Sequence, residues 1–98
     1  MGFKINKNTK LAKCSFFTQE QEIWIYDWLF QHLEIESFSD AFDYKRTLHY
    51  ISNRSDTHHL NICLLYFAEA FPNDITNNQY NELKEIFINY AKDKLKND

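Results

Sequence analysis

Apolar residues recur at helical spacing through most of this chain. From about Gln19 to Leu33, Tyr26, Leu29, Phe30 and Leu33 share one face, with Ile25 beside them. Glu20, Asp27, Gln31 and Glu34 share the opposite face, and Trp24 and Trp28 fall on the flank next to these acids. Thr18 with Gln21 forms a capping-box pattern just ahead of this segment, which fixes the predicted start of a first helix. A second helix is predicted from about Asp40 to Asn53, where Ala41, Tyr44, Leu48 and Ile51 make a single inward stripe and Ser37 or Ser39 is the expected cap. Phe42 and Tyr50 lie off that stripe.

The third segment, Leu60–Phe71, is different in kind. Ten of its twelve residues are apolar or aromatic, Asn61 and Glu69 being the exceptions. A helix that is apolar nearly all round is one with neighbours on several sides. It is therefore expected at the centre of the fold, entered through Thr57-His58-His59, capped by Ser55 or Asp56 and stopped by Pro72. Leu64 and Phe67 are expected to be almost fully enclosed, and Leu64→Ala to cost about 2–5 kcal/mol. A second capping-box pattern, Thr76 with Gln79, opens a fourth helix from about Asn77 to Leu95. Its stripe is Tyr80, Leu83, Phe87, Tyr90 and Ala91, with Ile86 alongside, and Lys92, Lys94 and Lys96 sit at its carboxyl end.

These four segments predict an all-α fold: a compact four-helix bundle over residues 16–98 with the third helix central, preceded by a short basic arm over residues 1–15. Composition agrees. Gly and Pro occur once each in 98 residues, whereas a β-rich domain of this size needs many tight turns. The 44% apolar and 17% aromatic content is that of a globular chain. No apolar run approaches the roughly 20 residues needed to cross a bilayer, and no apolar stretch follows the early lysines as a secretory signal would require. Two cysteines, Cys14 and Cys63, do not make a disulfide framework, so the expectation is reduced thiols in a cytoplasmic protein.

Charge sharpens the picture. Residues 1–13 carry four lysines and no acid. Residues 14–44 carry Glu20, Glu22, Asp27, Glu34, Glu36, Asp40 and Asp43 and no Lys or Arg, and the remainder is balanced, for a net −3. Seven carboxylates with no cation in their own segment repel one another unless a partner neutralises them. Tryptophan bordering charge is a common interface composition. The candidate partner-binding set is therefore Trp24, Asp27, Trp28, Gln31, Glu34, Glu36, Asp40 and Asp43; against it stands a plain solvated face with both tryptophans folded inward.

Other chemistry is weaker. His59 and Cys63 are four apart on one helix, and His58, Cys14, His32 or His49 could join them, but a structural zinc site usually shows two tight ligand pairs and none is present. Glu69 and Asn61, with His58 near, lie on one line of the third helix, yet no nucleophile, glycine loop or second carboxylate accompanies them, so no catalytic residue, metal or cofactor is expected. Four lysines without arginine or interleaved aromatics make a poor nucleic-acid element. The preferred reading is a non-enzymatic protein-binding module: an inhibitor or neutralising partner of the immunity, antitoxin or phage anti-defence type, whose acidic face occludes the basic nucleic-acid-binding surface of a nuclease, toxin or defence-complex subunit. The alternative is a self-associating structural or regulatory module, a homodimer through surplus aromatics such as Phe42, Tyr50 and Trp24, touching nucleic acid through the lysine arm.

Overall fold

The computed structural model describes residues 16–34, 37–72 and 74–96. The arm assigned to residues 1–15, with Cys14, lies outside these residues, as does Glu36. The described chain forms α1 (Gln19–His32), α2 (Ala41–Ser52), α3 (His58–Ala70) and α4 (Asn77–Lys96), with no strand among the described residues. The fold is all-α, a four-helix bundle.

Helix starts follow the chemistry of their caps. Thr18 accepts from the Gln21 backbone N–H at 3.1 Å while the Gln21 side chain accepts from Thr18 N–H at 3.0 Å. Thr76 and Gln79 repeat the exchange at 3.1 and 2.9 Å. Each box satisfies two backbone groups that a helix start otherwise leaves open. At α2 the cap is Asp40, whose carboxylate accepts from Asp43 N–H at 2.8 Å, not Ser37 or Ser39. Those serines are used elsewhere, Ser39 on the Asp43 carboxylate and Ser37 on the Gln31 carbonyl. At α3 the Asp56 carboxylate takes the backbone N–H groups of His58 and His59 at 2.8 and 3.3 Å.

The α2–α3 turn closes with Ser55 N–H on the Tyr50 carbonyl at 2.8 Å and Arg54 N–H on the Ile51 carbonyl at 3.0 Å. This is the Schellman pattern, with Arg54 at φ 63° in the position usually given to glycine.

The most extensive pairing is α2 along α4. Leu48 and Ile51 of α2, Leu83, Ile86 and Ala91 of α4, and Ile25, Leu29 and Leu33 of the α1 region make one apolar core. α4 has the widest buried face, running through Leu83, Ile86, Phe87, Ile88, Tyr90 and Ala91. Phe17, ahead of α1, packs edge-on against Phe67 at 5.7 Å. The backbone at Phe16 is held by α4 through Glu82 and Gln79.

α3 packs against both α1 and α4, but its enclosure is partial. Leu60, Cys63 and Phe67 are buried. Leu64 is only half-buried, so the expected near-complete burial holds for Phe67 and fails for Leu64. Leu65 and Tyr66 are 62% and 47% exposed. α3 thus has neighbours on two sides, α1 and α4, while its remaining flank faces solvent, α2 being paired along α4.

Candidate functional site

α1 places Trp24 and Trp28 on the flank that meets α3. Trp24 is half-buried and packs edge-on against Phe67 at 5.6 Å and Phe71 at 6.1 Å. Trp28 is buried, with its ring stacked on His32 at 4.2 Å and on Phe87 at 6.2 Å. The imidazole of His32 is fixed by its own helix: Nδ1 lies 2.9 Å from the Trp28 carbonyl oxygen. A carbonyl only accepts, so Nδ1 donates and, in the neutral ring, Nε2 is left as an acceptor.

The two helices leave a groove between them of about 480 Å³, open to solvent and lined by Trp24, Trp28, His32, Tyr66, Glu69 and Ala70. Its size suits a side chain or a short peptide segment. By contrast, the cavity under the α2–α3 turn, bordered by Ile51, Arg54, Leu60 and Phe87, is about 20 Å³, room for about one water.

The sequence-predicted residues divide into three groups. Trp24 and Trp28 line the groove; Asp27 and Gln31 do not, although they adjoin Trp28 and His32 along α1, and Gln31 Nε2 donates to the Asp27 carboxylate at 3.0 Å. Glu34, Asp40 and Asp43 have structural duties. Glu34 takes Lys94 Nζ at 3.1 Å. Asp43 takes Arg46 at 2.9 Å and the Ser39 hydroxyl at 2.9 Å, and Asp40 caps α2. Glu36 lies outside the described residues. The missing cations of the acidic third are thus supplied in part from elsewhere in the chain: Lys94 from the end of α4, and Arg46 from α2 itself.

Four residues of the groove, His32, Tyr66, Glu69 and Ala70, are not among those predicted for partner binding. The sequence places Tyr66 within the apolar third helix, and Glu69 on the line it shares with Asn61, a weak catalytic candidate or simply the helix edge that reaches water. The available signal was the apolar excess of α3, more than one packed stripe requires. Glu69 shares the groove with His32, while the ring of His58, its expected neighbour, meets His59. Among the described residues no Ser, Thr, Cys, Lys or Arg lines the groove.

The remaining candidates are absorbed by structure. His59 Nδ1 is 2.9 Å from the Asp56 carboxylate, and Cys63 is buried, its thiol pushed up by desolvation. Among the described residues no group of three His, Cys, Asp or Glu side chains is placed to hold a metal ion. No described helix is long and apolar enough to cross a membrane. Of the aromatics read as surplus, Phe42 and Tyr50 are 71% and 51% exposed on α2, whereas Trp24 is turned into the α1–α3 junction. Comparison with protein-family models, with curated proteins and with solved structures found no match for this chain.

Proposed function

We propose that this protein is a small, non-catalytic binding module that neutralises a basic protein partner by covering its nucleic-acid-binding surface. What supports the reading is an open aromatic groove on a net-negative molecule, with Asp27 and Gln31 next in α1 to the groove residues Trp28 and His32. Such a face combines the two ingredients of a fast and lasting complex. Opposite charge raises the association rate, and aromatic contacts buried on docking slow dissociation. The partner class is that of a nuclease, toxin or defence-complex subunit, and the protein acts as an inhibitor of the immunity, antitoxin or anti-defence type in the cytoplasm, where Cys63 stays reduced.

In this reading the face is centred on Trp24, Asp27, Trp28 and Gln31, with Tyr66 and Glu69 from α3, and Glu34, Asp40 and Asp43 flank it in roles internal to the fold. The test starts from affinity capture with the full chain in its host and identification of the bound protein. The identified target should be basic, should bind less tightly as salt rises, and should lose at least about tenfold in affinity to Asp27→Lys, worth about 1.4 kcal/mol. Unchanged affinity in that variant would remove this face from the interaction.

A second reading has one observation in its favour. Phe42, Arg46 and Tyr50 lie along the outward side of α2, with Arg46 stacked over Phe42 at 5.5 Å, a surface that would serve self-association. Sedimentation of the wild type against Phe42→Ser decides it: a dimer that dissociates in the variant supports this second reading.

A further inference from the structure

The fold solves one problem twice in the same way. On α2, the Arg46 guanidinium lies 5.5 Å from the Phe42 ring and pairs with the Asp43 carboxylate at 2.9 Å. At the end of α4, the Lys94 ammonium lies 5.8 Å from the Phe30 ring and 5.4 Å from the Tyr90 ring and pairs with the Glu34 carboxylate at 3.1 Å. Each is a cation in reach of both an aromatic face and a carboxylate, and each contact stabilises the charge.

The α1–α3 groove has the same parts with one missing. Trp24, Trp28 and Tyr66 line it together with Glu69. No Lys or Arg side chain among the described residues enters it, and among those residues Glu69 has no ion-pair partner. We infer that the groove is a receptor for an arginine side chain of the partner, the guanidinium taking the place that Arg46 and Lys94 fill in the other two arrangements.

Arginine is favoured over lysine by the shape of the site. A guanidinium is planar, stacks on aromatic faces and sheds water more readily than an ammonium, and its fork matches a carboxylate. Three aromatic residues around one concavity favour the flat, weakly hydrated cation. His32 fits the same picture: with Nδ1 donating to the Trp28 carbonyl, the neutral ring offers Nε2 as an acceptor. Charge complementarity agrees, since the molecule carries net −3 and Asp27 and Gln31 are next in α1 to the groove residues Trp28 and His32.

This inference rests on the partner-binding reading but is tested apart from it, with model peptides and without the natural target. The full chain is titrated with a hexa-arginine peptide and, in parallel, a hexa-lysine peptide at moderate salt, following the indole N–H resonances of Trp24 and Trp28. Hexa-arginine should shift them saturably and bind tighter than hexa-lysine. Glu69→Gln and Tyr66→Ala alter exposed side chains and should leave the melting temperature unchanged while weakening hexa-arginine about five- to tenfold. Asp93→Asn, the same charge change on α4, should weaken it less than about twofold. The proposal is overturned if the three variants weaken binding alike, if the groove variants have no effect, if the two peptides bind equally, or if neither binds. Binding that appears only when Lys4, Lys7, Lys10 and Lys13 are changed to Gln would assign the groove to the chain's own arm and also overturn it. In each of these cases the acidic-face reading is still judged separately, by the Asp27→Lys response with the captured target.

Discussion

Cys63 and Tyr90 show how burial decides the behaviour of single side chains in this core. Desolvation raises the Cys63 thiol above its usual range. Tyr90 is raised first by desolvation and then by the negative surroundings of Glu34, Tyr44 and Asp93. Both groups are neutral in the folded protein at pH values where the unfolded chain begins to ionise them. The sign follows: the unfolded state loses protons first, so their contribution to stability is intact below the unfolded pKa and is lost as pH rises. Stability measured by urea unfolding should therefore fall above about pH 8.5, by up to about 1.4 kcal/mol per pH unit for Cys63, and more steeply once unfolded tyrosine ionises near about pH 10. Cys63→Ala should remove the first part of this decline and leave the second. A profile unchanged by that substitution would mean that the thiol titrates alike in both states.

At the scale of the helix, local signals and tertiary signals separate cleanly. The starts of α1 and α4 were legible because Thr18 with Gln21 and Thr76 with Gln79 act within one turn of chain, and the stop at Pro72 is equally local. The caps of α2 and α3 were harder, since serine and aspartate compete for the same role: Asp40 took the α2 cap while Ser39 turned to Asp43, and Asp56, a named candidate beside Ser55, took the role at α3. What α3 buries could not be read from composition. An apolar helix records that hydrophobic surface exists, not which flank a neighbour will cover, and here the pairing of α2 with α4 left Leu65 and Tyr66 open. That difference is measurable. Leu60→Ala should cost about 2–4 kcal/mol because a 3%-exposed leucine is removed from the core. Leu65→Ala, on the same helix and of the same chemistry, should stay within about 0.5 kcal/mol. Equal costs in chemical denaturation would mean that α3 is enclosed on both sides.

At the scale of the molecule, the partition of charge along the sequence overstated the repulsion in the acidic third. A count by segment misses pairs that the fold makes between distant positions, and Glu34 with Lys94, 60 residues apart, is such a pair. The candidate face was legible as far as it lies on one helix: Trp24, Asp27, Trp28 and Gln31 follow from spacing alone. The contribution of Tyr66 and Glu69 depends on how α3 docks on α1, which no local pattern encodes. The same reasoning decides which charge reversal is informative. Glu34→Lys sets two cations against each other beside Phe30 and Tyr90. Both partners are a little under one-third exposed, so the variant should lose about 1 kcal/mol, less at high salt. Any loss of partner affinity in it would mix folding with recognition. Asp27→Lys avoids that pair, gives up the hydrogen bond from Gln31 and should cost about 1 kcal/mol. The double variant Glu34→Lys with Lys94→Glu restores opposite charges in reversed order and should recover most of the lost stability, giving a favourable coupling energy in a double-mutant cycle. Additive losses in that cycle would show that the Glu34–Lys94 contact contributes nothing, and Glu34 would return to the centre of the proposed partner-binding face.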